Sequence, residues 1–392
     1  MATATASAQS SASGTGSGGK ATQLPFTLGS AFTARDAFES TTALGVGTVN
    51  ATGFPYHIPS FGWLSNLELE FSVTFTAGAT TAFGPDGIDA LIDNIGVRTP
   101  GGSPVIQPID GFSLHMDNKF GGKRMGSSTP PAGTDPDSFP STVLAITESA
   151  ANTLTFTRYL QFELDASSAL GCIPTTASNR EFYIDLTYSA LSKVFPTGTP
   201  AAASVTVNAT AYYWDIPADN AMPYGVVNNV PTLRLLQTEF PTVNAGSSKS
   251  KSVNMGNIIM NHILIFRDST GARSDADFSD PFEFNIDNNA RFWRRKSSWK
   301  RDMANWFGLG KNGQALDAPG GLNAGVYVLP WRLLAGGTGA DPFASHAQFL
   351  ATQNTTQLIA QGYNNGAAGT LQLLTDAVST PNAAVIYSPY GG

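Results

Sequence analysis

Apolar and polar residues alternate along much of this chain, and the alternation predicts strands. Leu67, Leu69, Phe71, Val73 and Phe75 are separated by Glu68, Glu70, Ser72 and Thr74. Leu154, Phe156, Leu160, Phe162 and Leu164 keep one phase, interrupted by Arg158. Phe182, Ile184, Leu186 and Tyr188 form a third run, and Val205, Val207, Ala209, Ala211 and Tyr213 a fourth. Successive side chains of a strand point to opposite faces, so each run offers one face to a core and one to water, as strands of a sandwich must. Residues 326–334 and 370–378 read as the last strands, and Phe343–Tyr363 as a short helix followed by a strand. A helical stripe stands out from Lys296 to Phe307, where Trp299, Met303, Trp306 and Phe307 fall at i, i+4, i+7 and i+8.

The pattern also repeats. At an offset of 169, Ile95, Val97, Arg98 and Gly102 match Leu264, Phe266, Arg267 and Gly271. At an offset of 170, Asp110, Phe112, Leu114, Met116, Asp117 and Asn118 match Asp280, Phe282, Phe284, Ile286, Asp287 and Asn288. Each block reads as a strand, a glycine turn, a loop and a second strand, which predicts two similar β-domains. The 392 residues also exceed the roughly 250–300 at which one core stops growing. The expected layout is an N-terminal arm over 1–22, small, polar and flexible, then a first domain over 23–216. A linker over 217–231 and a second domain over 232–392 follow. Gly121–Thr142 and Gly308–Gly321 read as long surface loops.

Composition narrows the class. Charged residues make up 13% of the chain, about half the usual share, which suits a β-protein with much of its surface covered by neighbours. The net charge of −7 argues against a general binder of nucleic acid. Cys172 has no partner for an internal disulfide, so packing must supply the stability. No apolar run approaches the ~20 residues of a membrane span. The N-terminus lacks the basic start and apolar stretch of a secretion signal, so the protein is expected to be made and kept, or packaged, in a cytoplasm.

Candidate chemistry is sparse. Gly14–Ala21 nearly spells a phosphate-binding loop with Gly14, Gly19 and Lys20, but Ala21 stands where the hydroxyl should be, with no strand before it. Glu163 and Asp165 sit on a strand like a glycosidase pair, with Ser168 where a third acid is expected. Asp275, Asp277 and Asp280 form an oxygen-rich cluster, as Asp135 and Asp137 do on a smaller scale, without the remaining ligands of a dedicated Ca²⁺ site. His57, His115, His262 and His346 are scattered without zinc-like spacing. No catalytic set, metal or cofactor site emerges, and the protein is expected not to be an enzyme.

The sharpest local anomaly is basic and aromatic. Arg291, Arg294, Arg295, Lys296, Lys300 and Arg301 crowd together with Trp293, Trp299 and Trp306 among them. Such a segment suits single-stranded nucleic acid, an anionic bilayer, or a helix packed on its own sandwich with its basic face toward an acidic neighbour. The site expected from it is a membrane or inter-subunit contact made by Arg291, Trp293, Arg294, Arg295, Lys296, Trp299, Lys300 and Arg301. In the first half, Lys123 and Arg124 stand near the place of Arg294 and Arg295, and no counterpart of the helix is evident.

With its tandem blocks at Ile95–Asn118 and Leu264–Asn288, its arm and its long loops, the chain resembles the major capsid proteins of the double-jelly-roll lineage. These occur in tectivirus-like tailless phages and in adenoviruses. The resemblance covers residues 23 to about 388 as architecture. It implies an all-β fold of two tandem eight-stranded jelly-roll sandwiches with a few short helices. It further implies a homotrimer of pseudo-hexagonal outline that tiles an icosahedral shell around an internal membrane. The partners implied are neighbouring trimers, penton and minor capsid proteins and internal membrane lipid, with no sequence-specific nucleic acid. The location implied is the virion, assembled in the host cytoplasm. The competing reading is a jelly-roll binding protein such as a glycan- or receptor-binding spike, which would expose aromatics on loops; Tyr212, Tyr213 and Trp214 are the candidates, although they read as strand.

Overall fold

The computed structural model describes residues 26–51, 55–121, 134–135, 142–143, 146–165, 168–175, 181–217, 221–223, 226, 233–239, 242–243, 249–307, 323–331, 350–362, 366 and 368–379. The arm over 1–22, the phosphate-loop-like Gly14–Ala21, Lys123, Arg124, Asp137, His346 and Gly308–Gly321 lie outside the described residues. So do most of Gly121–Thr142 and of the linker over 217–231.

Among the described residues, besides two-residue strands at Thr134–Asp135, Thr142–Val143 and Ile173–Pro174, eight principal strands precede Pro217. They are β1 (Phe32–Leu44), a broken β2 (Asn50–Ala51 and Tyr56–His57), β3 (Trp63–Thr76), β4 (Ile92–Arg98), β5 (Pro104–Ile109), β6 (Ala151–Gln161), β7 (Tyr183–Tyr188) and β8 (Ala203–Trp214). Besides two-residue strands at Thr242–Val243 and Leu350–Ala351, eight more principal strands follow Leu233. They are β9 (Arg234–Glu239), β10 (Lys249–Ser252), β11 (Ile258–Asp268), β12 (Phe282–Ile286), β13 (Asn289–Arg294), β14 (Val326–Pro330), β15 (Leu358–Gly362) and β16 (Gly369–Val378). The first set forms sheets ordered β1-β8-β3-β6 and β2-β7-β4-β5, and the second β9-β16-β11-β14 and β10-β15-β12-β13. Each strand of the first set thus has its topological twin eight strands later, in two jelly rolls of the same winding.

The alternating runs fold as their pattern requires. In β8, Val205, Val207, Ala209, Ala211 and Tyr213 are buried against the core, and Asn208 between them is exposed. The other face of the first sheet is polar, in rows that cross the strands. Asp36, Thr210, Glu68 and Tyr159 stand side by side, and next to them Glu39, Asn208, Glu70 and Thr157. Directly opposed residues share a sheet face, so four carboxylates gather on it. Tyr212 to Trp214 lie in β8 and not on a loop.

Several expectations need correction. Asp110–Asn118 is not a strand: Gly111–Met116 is a helix, α1, running on into a turn of π-helix at Asp117–Gly121. Asp110 caps it, its Oδ1 accepting from the Ser113 N–H at 2.7 Å. Phe112, Leu114 and Met116 imitate a strand because Ser113 and His115 between them are also buried, so the alternation marks no polar face. The repeat is real but its residue alignment is not, since Ile95 lies on β4 whereas Leu264 lies on β11, the twin of β3. And the helix α2 (Lys296–Phe307) does have a counterpart, because α1 occupies the same place between fifth and sixth strands. The strand over 154–164 stops at Gln161, and that over 326–334 at Pro330.

Candidate functional site: the seam between the jelly rolls and the basic strand–helix segment

The two jelly rolls join edge to edge. β5 lies parallel to β9, with Ile106 beside Leu236, so one sheet, eleven-stranded when its two-residue pieces are counted, passes through both. One paired position is a thin backbone contact, and side chains do most of the joining. Arg234, at the start of β9, donates to Asp376 Oδ1 from Nε at 2.8 Å and to Asp117 Oδ1 from Nη2 at 2.6 Å. Its Nη1 reaches the Gln161 carbonyl at 2.8 Å. Asp117 and Gln161 belong to the first jelly roll, Asp376 to the second, and all three charged groups are buried. Burial pushes the Asp117 carboxyl up to about 6 against the pull of Arg234, and Asp376 adds to the rise. Burial alone would lower the Arg234 guanidinium, but its two carboxylates carry it upward.

The rest of the seam follows α1. Phe120 meets Phe307 edge-on with ring centroids 5.1 Å apart, and Lys119 Nζ donates to Asn323 Oδ1 at 2.9 Å. Gln372 Nε2 donates to Asp110 Oδ2 at 3.1 Å. Arg267 and Arg273 of the second roll both pair with Asp86 of the first, and Arg273 lies 4.3 Å over the Phe112 ring. Ile258, Met260 and Val378 pack against Leu164 and Leu170 across the same boundary. A cavity of about 420 Å³ opens here, lined by Asp86, Asp89, Asp110, Phe112, Lys193 and Arg267 among others. Behind it Arg158, the residue that broke the phase of its strand, pairs with Asp89 at 2.6 Å, and His115 Nδ1 meets the same carboxylate at 2.5 Å. Burial alone would raise Asp89, but Arg158 and His115 outweigh it and hold it below its ordinary value.

The eight residues of the basic segment divide by role. Trp299 is fully buried among Phe278, Phe282, Phe292 and Tyr327, and its Nε1 donates to the Val328 carbonyl at 2.7 Å. Lys296 donates to the carbonyls of Asp275 and Ala276. Lys300 donates to those of Asn323 and Val326 and pairs with Asp275 at 3.1 Å. These three side chains hold α2 to its own sandwich. Arg294 and Arg301 flank Asp302. Arg291, Trp293, Arg294, Arg295 and Arg301 are exposed, the first three on β13, an edge strand among the described residues.

The remaining candidates are structural. Glu163 accepts from Ser65 Oγ at 2.6 Å and from Trp214 Nε1 at 3.1 Å, and Asp165 from Ser168. Asp275 is taken by Lys300 and the Gly325 N–H, Asp277 by Ser274, and Asp280 accepts from the Lys296 N–H. Among the described residues no group of His, Cys, Asp and Glu is placed to hold a metal ion. His262 is buried, stacks on Phe284 and accepts from Trp331 Nε1 at 2.9 Å, and burial pushes its imidazole down to about 3. His57 meets Glu181 at the surface. The Arg234 cluster is the feature that periodicity misses. Its signal is Asp376, an acid inside the apolar run Leu371–Val378, which demands a buried partner.

Sixteen principal strands among the described residues, in two jelly rolls of identical winding fused through one sheet, define a double-jelly-roll protein. Solved structures share this fold. The major capsid protein of Sulfolobus turreted icosahedral virus superposes with a TM-score of 0.59 at 13% identity, over 90% of this chain and 98% of that one. The capsid protein of PBCV-1 virus gives 0.60 at 12%, over 89% and 94%. The Faustovirus major capsid protein gives 0.52 at 10%, over 92% and 91%. No protein-family model matches the chain, and no curated protein matches it in sequence. The fold is that of double-jelly-roll viral major capsid proteins.

Proposed function

We propose that this chain is a viral major capsid protein whose three copies form a pseudo-hexagonal trimer that tiles an icosahedral shell. The observation that carries the reading is the duplication itself: two jelly rolls of one winding, locked by a buried seam, make one chain present two similar edges. Three such chains fill six near-equivalent positions, and a head-to-tail contact that closes after three steps makes a ring. Neighbouring trimers, penton and minor capsid proteins are the further partners of such a shell, in a virion assembled in the host cytoplasm. An internal membrane is the further expectation, with lipid beneath the trimers.

The test is the mass of the purified protein by light scattering after size exclusion, followed by negative-stain imaging. The expected result is three times 41.1 kDa with a hexagonal outline. A monodisperse monomer without that outline overturns the proposal.

A further inference from the structure

The seam inside one chain is a template for a contact between chains. Within the chain, the fifth strand of the first jelly roll (β5) docks on the first strand of the second (β9), and the helix after the fifth strand, α1, braces the joint. The same elements recur at two further sheet edges, with no strand on their outer side among the described residues. β13, the fifth strand of the second roll, is followed by α2 and is an edge strand among the described residues. β1, the first strand of the first roll, is likewise an edge among the described residues, paired on one side with β8.

Their chemistry is complementary. β13 and the start of α2 expose Arg291, Arg294, Arg295 and Arg301 beside Trp293, which is 47% exposed. β1 begins with Phe32, 49% exposed, and carries Asp36 and Glu39 beside a single Arg35, with Glu68 and Glu70 two strands away in the same rows across β8. An edge strand with an exposed aromatic invites another strand unless it is covered. Opposite charge on the two edges selects one pairing and disfavours like with like.

We propose that β13 and the N-terminal turns of α2 dock on the β1 edge of a second copy, repeating between chains the β5–β9 seam made within each. The proposal rests on the trimer reading above and names the surfaces that close the ring. Helix position supports the equivalence. Asp117, which takes Arg234 in the internal seam, is six residues after the first residue of α1, and Asp302 is six after that of α2.

The experiment is a charge swap in the full chain, read by light scattering at fixed low-micromolar concentration in ordinary salt. Arg291→Glu with Arg295→Glu, or Asp36→Arg with Glu39→Arg, each weakens the trimer by on the order of 10–100-fold because like charges then face each other. The four substitutions combined restore it. Near-ultraviolet circular dichroism confirms that each variant is folded. Should a reversal variant fail to fold, the neutral Asp36→Asn with Glu39→Gln replaces it, and the expected result is a trimer whose stability depends less on salt. A wild-type monomer overturns the trimer reading and this proposal with it. A wild-type trimer that survives both reversals leaves the trimer reading standing and overturns the seam. Loss of the trimer in both variants without recovery in the combination overturns the pairing of these two edges. Loss of flotation with anionic phosphatidylserine vesicles in Arg291→Glu with Arg295→Glu, with the trimer intact, makes the basic segment a membrane surface and overturns the proposal.

Discussion

Replacing Arg234 by Ala strands two carboxylates in the middle of the molecule. Arg234 gives two hydrogen bonds to Asp376, one to Asp117 and one to the Gln161 carbonyl, and the Asp117 and Asp376 side chains are 2% and 0% exposed. Taking one partner from a buried ion cluster costs about 3–5 kcal/mol, because the charge left behind has neither water nor counterion. Two carboxylates depend on this one cation, so the upper half of that range is expected at pH 7. For a unit the size of one jelly roll this is a fall in Tm on the order of 10 °C. The pH dependence has a definite sign. The folded value of Asp117, about 6, lies above its ordinary value. Its contribution to stability is therefore full below the unfolded carboxylate value and is lost as pH rises through about 6. Without Arg234 the pair binds its proton still more readily, so the deficit of the variant narrows as pH falls from 7 to 5. Scanning calorimetry at both pH values checks this, and a split of the main transition marks the uncoupling of the two rolls. A shift below about 2 °C at pH 7, or a deficit unchanged at pH 5, refutes the reasoning.

Other outcomes follow from single side chains. The folded value of His262, about 3, lies below its ordinary value, so its contribution is present above the unfolded histidine value and is lost as pH falls toward 3. His262→Gln keeps an acceptor for Trp331 and flattens the acid limb of denaturant midpoints measured between pH 7 and pH 4. An unchanged limb contradicts the assignment. Trp299→Ala empties the fully buried centre of the second sandwich and loses about 3–5 kcal/mol, whereas Trp293→Ala on the exposed edge changes monomer stability by under about 0.5 kcal/mol. Equal effects in urea titrations of the two variants under monomer conditions sink the division between buried anchor and exposed edge.

Much of the fold is legible in the alternation of residues. β3, β7 and β8 face a core on one side and solvent or a polar sheet face on the other, so period two is written plainly in them. The helix over Lys296–Phe307 is equally plain, because Trp299, Met303 and Phe307 make one buried stripe. The reading fails where both faces are covered. α1 is buried all round between the rolls, and its apolar positions then imitate a strand. For the same reason the recurring blocks align β4 with β11, which are not twins, although they lead to the right duplication. Buried charge is legible only as exceptions: Asp376 at the seam and Arg158 within the first roll are charges in apolar runs, and each turns out to hold a buried partner. Arg234 lies at the start of its strand and carries no such mark. Partner identity follows from topology, which joins residues far apart in sequence.

The internal seam also bears on shape. Its backbone link is a single parallel position, yet the arginine cluster, α1 and the Asp86 pairs brace it on both sides. Each chain then behaves as a stiff two-lobed plank, with little freedom to hinge at its waist. In a closed shell built from such planks, curvature is taken up at the joints between molecules.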